Sequence, residues 1–126
     1  IMANGTIAFD TLETSGQIDG TARSIDADYL LNGSAKCWNH GATNGTFSKD
    51  SFNVTSTTDN GTGDTTVTFT NNMINDDWAG GGIAGGDNIY GMSAQATSSA
   101  RTVIHSHSGS DNDSGIYSVT VQGELA

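Results

Sequence analysis

The sequence predicts an all-β protein, an antiparallel β-sandwich head preceded by a short extended segment, and three observations carry that prediction. Gly, Ser, Thr and Asn supply 59 of the 126 residues and Pro is absent. These residues cost backbone entropy in a helix or compete for its hydrogen bonds, so long helices are disfavoured. Stretches such as Tyr117-Ser118-Val119-Thr120-Val121 alternate apolar and polar residues, the period of a half-buried strand. Between such stretches stand Asn, Asp and Gly, the residues of tight turns.

Taken in order, residues 1–34 differ in texture from the rest. Thr6 to Phe9 and Tyr29 to Leu31 are short apolar islands separated by polar turns at Ser15-Gly16 and Asp19-Gly20. A segment of this kind buries too little surface to fold alone. It is expected to pack against, or wind around, its copies as a shaft-proximal trimerisation segment. Residues 35–126 are expected to form the sandwich. It begins with short strands at Ala35 to Asn39 and Thr46-Phe47. The strongest signal is Ser51 to Asn71, where a two-residue turn at Asn60-Gly61 would place Val54 opposite Val67 and Phe52 opposite Phe69. Asp77 to Ala84 and Ile89 to Gln95 supply two more strands, with Gly80-Gly81-Gly82 marking a bulge or a close backbone approach in the first. A second hairpin is expected to join Thr102 to Ser108 with Ile116 to Gly123 through the polar loop from Gly109 to Ser114.

Composition bounds the function. Leu, Ile, Val and Phe number 22 of 126 residues and the formal net charge is −10, a combination usual for disordered chains. The alternation argues for folding nonetheless, and the two are reconciled if copies of the chain bury surface between them. Four Lys and Arg stand against fourteen Asp and Glu with no basic stripe, so nucleic acid is a poor partner. A single cysteine, Cys37, permits no intrachain disulfide and no cysteine zinc cluster; it reads as a small buried apolar residue. No apolar run approaches the ~20 residues of a membrane span, so membrane insertion is not expected.

Two stretches then carry a resemblance. Ser34-Ala35-Lys36-Cys37-Trp38, and Ser51-Phe52-Asn53-Val54 leading through Thr58-Asp59-Asn60-Gly61-Thr62-Gly63-Asp64 to Thr66-Val67-Thr68-Phe69-Thr70, resemble the C-terminal regions of tail-fibre proteins from marine and cyanobacterial phages. Phe9-Asp10-Thr11-Leu12 and Gly20-Thr21-Ala22 match an upstream segment of the same proteins. Cys37 stands where those proteins usually have Ala, and Asp76 to Ser114 matches poorly. The resemblance implies a homotrimeric fibre tip on the virion that contacts other tail proteins. It would present its β domain to a host-surface glycan or outer-membrane receptor.

Candidate site residues follow from side-chain chemistry. Trp78 and Tyr90 flank Asp87, with Asp76 and Asp77 just before, and aromatic faces mixed with carboxylates suit saccharide or protein receptors. Trp78 as a core plug is an equally good reading. His105 and His107 sit at i and i+2, which on a strand places both imidazoles on one side; three such strands around a three-fold axis would offer six nitrogens to a transition metal. Histidines hydrogen-bonded within a sheet or turn are the simpler reading, and otherwise no cofactor is expected. Asp111-Asn112-Asp113-Ser114-Gly115 resembles part of a calcium loop, and an Asx-rich turn explains it equally without metal. The only glutamates, Glu13 and Glu124, lie in no recognisable catalytic context, so an adhesin is expected rather than an enzyme. A polysaccharide depolymerase and a ligand-free fibre or capsid decoration module are the alternatives.

Overall fold

A computed structural model describes residues 11–14, 23–26, 31–43 and 47–126. The chain divides into two compact units, Ile1–Ser34 and Ala35–Ala126. In the first, β1 (Thr11–Thr14) and β2 (Arg23–Asp26) pair antiparallel, Thr11 with Asp26 and Thr14 with Arg23. The turns expected at Ser15-Gly16 and Asp19-Gly20, and the apolar islands apart from Leu31, lie outside the described residues.

The described residues of the second unit form eight strands: β3 (Ala35–Ala42), β4 (Phe47–Phe52), β5 (Val54–Gly61), β6 (Asp64–Phe69), β7 (Ala79–Ala84), β8 (Asn88–Ala96), β9 (Ser99–Ser106) and β10 (Tyr117–Gln122). They form two four-stranded antiparallel sheets, ordered β4-β3-β10-β7 and β5-β6-β9-β8. Alternation selects the inner faces. Cys37 and Asn39 of β3 and Tyr117, Val119 and Val121 of β10 point inward from one sheet. Thr65, Val67 and Phe69 of β6, with Ala100, Thr102 and Ile104 of β9, point inward from the other.

Strand directions give the sandwich two ends. The chain arrives at Ala35 at the proximal end, shared with the β4–β5 corner, the β6–β7 loop, the β8–β9 turn and the C-terminus. The β3–β4, β5–β6, β7–β8 and β9–β10 connections lie at the distal end. The core is graded along this axis. Phe69, Met73, Trp78 and Val121 fill the proximal half, and the Trp78 indole meets Phe69 edge-on with ring centroids 5.8 Å apart. Toward the distal end the buried residues turn polar. Thr65 Oγ1 donates to the Thr43 carbonyl at 3.0 Å, Thr102 Oγ1 to the Thr65 carbonyl at 3.2 Å, and Asn39 Nδ2 to Tyr117 Oη at 3.1 Å.

Three details differ from the sequence expectation. First, Phe52 and Val54 do not continue one strand. Asn53 has φ 57°, a left-handed conformation that Asn tolerates better than most residues. Its side chain holds the corner by donating to the Lys36 carbonyl at 2.9 Å and accepting the Asn71 N–H at 2.7 Å. Phe52 therefore ends in the β4-β3-β10-β7 sheet opposite Trp38, and Val54 begins the other sheet opposite Phe69. Second, the hairpin turns at Thr62-Gly63, not Asn60-Gly61. Gly61 pairs with Asp64, Asn60 is an extra residue in β5, and Val67 faces Thr57. Gly63, with φ 69°, is fixed by contacts to Asn112 and the Ile104 carbonyl as well as by the turn. Third, β9 and β10 are not a hairpin. Each has an apolar inner face and they lie in opposite sheets, so their side chains meet across the core and the connection crosses the distal end.

The glycine run in β7 is a close backbone approach, as its sequence suggests. A Cβ on Gly80 would lie 2.7 Å from Met92 Cε, and one on Gly82 would lie 2.6 Å from the Tyr90 ring. Absent side chains on β7 thus let Tyr90 and Met92 of β8 close that flank of the sandwich.

Candidate functional site

The residues singled out for recognition do not form one cluster. Asp76, Asp77 and Trp78 lie on the proximal β6–β7 loop, whereas Asp87 lies in the distal β7–β8 turn. The six residues of β7 between them span about 20 Å at the usual strand rise. Trp78 is 4% exposed and its indole N–H donates to the Ala96 carbonyl at 3.0 Å, so it is the core plug and offers no face to a ligand. Asp76 and Asp77 are exposed. Tyr90 packs over Gly82 with its hydroxyl buried and without a hydrogen-bond partner, and burial pushes that phenol up to about 12.

The distal end brings Asp87 together with the two histidines instead. The His107 N–H donates to the Asp87 carbonyl at 3.2 Å. His105 stands on β9, but His107 lies beyond the strand in the following turn, so strand geometry does not align the two imidazoles. His105 Nδ1 is 2.9 Å from Asp111 Oδ1, an ion-pair proximity without hydrogen-bond alignment. Among the described residues, no group of three or more His, Cys, Asp or Glu is arranged to hold a metal within one chain.

The β9–β10 crossing is held by its own polar side chains. Asp113 Oδ1 accepts the Gly63 N–H at 2.8 Å, and Asn112 Nδ2 donates to Asn88 Oδ1 at 2.7 Å. The Ser114 N–H donates to Thr43 Oγ1 at 2.6 Å, and the Ser114 hydroxyl donates to the Ile116 carbonyl at 2.6 Å. Several oxygens that a calcium ion would need accept N–H groups, so Asp111 to Gly115 serves as an Asx-rich turn that ties three distal loops together. Hydrogen bonds of this kind lower the ordering cost that a loop pays on binding.

Between the β7–β8 turn and the crossing lies a cleft of about 290 Å³, lined by Gly85, Gly86, Asn88, Asp113, Ser114 and Ile116. Amide, carboxylate and hydroxyl groups border the half-exposed Ile116, a mixture that recognises hydroxyl-bearing ligands by hydrogen bonds with one apolar contact. The loop motif from Asp111 was visible in the sequence, but Gly85 and Asn88 were not, because nothing local shows that β7 and β8 cross to different sheets beside it. Compared with known protein families, curated proteins and solved structures, the chain matches none.

Proposed function

We propose that this chain is the receptor-binding tip of a bacteriophage tail fibre, a non-enzymatic adhesin that acts as a homotrimer on the virion. The distal loop end of its sandwich is the surface turned to the host. The observation that supports this reading is the gathering of Asp87, His107, Asn88, Asp113 and the cleft at the end of the sandwich opposite Ala35, where its first strand begins. Loops on a rigid scaffold are where recognition is ordinarily found, and the interlocked hydrogen bonds here reduce the ordering cost of binding. Three equal sites on a fibre turn weak single contacts into stable attachment. The resemblance of Ala35 to Trp38 and Ser51 to Thr70 to phage tail fibres supports the biological setting.

The test has two stages. Sedimentation equilibrium of the purified chain should return three times the 13.0 kDa chain mass, and a monomeric mass overturns the trimer. The labelled trimer is then incubated with cultured marine bacteria and cyanobacteria. Binding to a subset of strains, lost on Asp87→Lys with an unchanged melting temperature, is the expected result. Binding to no strain favours the ligand-free structural module, and release of reducing sugar from cell-surface polysaccharide favours the depolymerase.

A further inference from the structure

The outer face of the β4-β3-β10-β7 sheet carries a feature that the distal end does not explain. Strand register places Phe52, Trp38, Thr120 and Gly81 in one row across the four strands, and Asp50, His40, Ser118 and Ile83 in the next. All face away from the core, because Cys37, Asn39, Tyr117, Val119 and Val121 point inward between them. Phe52 is 54% exposed, Ile83 is 64% exposed and Trp38 is half-buried. His40 Nδ1 and Ser118 Oγ are 2.8 Å apart, which fixes the imidazole beside the aromatic pair.

Gly81 is the second, independent observation. Gly80 and Gly82 are required by Met92 and Tyr90, but a Cβ on Gly81 would meet nothing within 4 Å and its φ is not positive. Glycine weakens a strand interior, and one that no bulge or internal contact requires fits a site where something outside approaches the backbone closely. The face is therefore a ledge, with two aromatic rings standing at one side and a bare backbone floor at the other, and the hydroxyls of Thr120 and Ser118 between.

We infer that this ledge is a saccharide-binding site for a neutral glycan chain, with a sugar ring stacked on Trp38 and Phe52 and its edge lowered onto Gly81. Aromatic faces supply apolar area to the CH side of a pyranose, while Ser118, Thr120 and His40 lie in reach of its hydroxyls. The extent of the two rows suits a sugar chain: three inter-strand spacings by one two-residue step give about 14 by 7 Å. Charge selects the class of glycan, because a chain of net charge −10 repels polyanions. The inference stands on this face alone and does not rest on the fibre reading.

The experiment is native electrophoresis of the full chain through gels containing dextran, galactomannan, mixed-linkage β-glucan or alginate, with tryptophan fluorescence as a second readout. Retardation by at least one neutral polymer is expected, with a fluorescence change from Trp38, since Trp78 is buried. Affinity should fall about tenfold, or about 1.4 kcal/mol, in Trp38→Ala and in Gly81→Val. Gly81→Val fills the floor at a position where an added Cβ meets nothing within 4 Å, so its melting temperature should not fall and a loss of binding is not unfolding. Asp87→Ala, at the distal end, should bind as the parent does. No retardation by any neutral polymer, undiminished binding by Gly81→Val, binding lost with Asp87→Ala, or binding to alginate alone each overturns the inference.

Discussion

Adjacent glycines of β7 should respond to alanine with opposite signs. At Gly82 the new methyl would lie 2.6 Å from Tyr90 Cε2 and Cζ and still closer to the Ser118 carbonyl oxygen. The Tyr90 ring can swing outward, but Ser118 is backbone-paired on both sides, to His40 and to Ile83, so β7 itself must shift. Overpacking of this kind costs about 1–3 kcal/mol, only partly offset by the 0.5–1 kcal/mol that Ala gains over Gly in a strand. A net loss of about 1 kcal/mol is expected for Gly82→Ala. At Gly81 no atom lies within 4 Å, so the strand gain stands alone and Gly81→Ala should be more stable by about 0.5–1 kcal/mol. Gly80→Ala should fall between, because its nearest contact is the flexible end of Met92 at 2.7 Å. At roughly 4–8 °C per kcal/mol for a domain of this size, the two extremes should melt on the order of 10 °C apart by circular dichroism. Equal melting temperatures for Gly81→Ala and Gly82→Ala, or a stabilised Gly82→Ala, would refute the packing of Tyr90 over β7.

Other perturbations have equally definite outcomes. Burial pushes the Cys37 thiol up to about 11, so a thiol reagent at pH 8 should label it only as denaturant unfolds the chain; prompt stoichiometric labelling in buffer would contradict its place in the core. Burial likewise raises the Tyr90 and Tyr117 phenols to about 12, above the unfolded value near 10. Their contribution to stability is full below about pH 10 and lost as pH rises through about 12, and the urea midpoint should drop across that window together with the ultraviolet signature of phenolate. The Arg101 guanidinium, bridging both oxygens of Asp64 with Nε at 2.9 Å from Oδ1, holds that carboxyl below its usual range. The resulting stability is present above the unfolded carboxyl value and lost as pH falls through the folded one. Arg101→Ala should flatten the acid limb of the stability profile slightly, the pair being solvent-screened; a steeper limb would exclude the pairing. Asn53→Ala removes the corner hydrogen bonds and leaves a non-glycine residue at φ 57°, so it should be less stable than Asn53→Gly by about 1 kcal/mol, measured by urea denaturation.

Alternation made the strands readable but left their partners hidden. Tyr117-Ser118-Val119-Thr120-Val121 announces a strand with one apolar face, and β10 is that strand. The run Thr102-Val103-Ile104 also reads as a strand and invites pairing with it, although two inner faces can equally be satisfied by meeting across a core, as they do here. Local exceptions decide such cases: the left-handed Asn53 moves the chain between sheets, and the extra Asn60 shifts the register. Each is a single polar residue inside an otherwise regular alternation. The candidate site suffered from the same blindness, because Trp78 and Asp87 are near in sequence yet stand at opposite ends of β7, and Trp38 and Phe52 become neighbours only once Asn53 has ended β4.

The scarcity of large aliphatic residues has a physical account inside one chain. Thr65, Thr102, Thr43 and Asn39 occupy positions that a richer sequence would fill with Val or Leu, and their donors are matched to Thr43, Thr65, Ser114 and Tyr117 across and along the sheets. A buried hydroxyl costs little when its hydrogen bond is made, so low aliphatic content does not by itself require surface to be hidden between copies. Residues 35–126 can close their inner faces alone, so if the chain trimerises as proposed, the force for assembly comes from residues 1–34. Removing that segment should therefore leave a folded β-sandwich of single-chain mass. A trimer that survives its removal would return the burden of association to the sandwich faces.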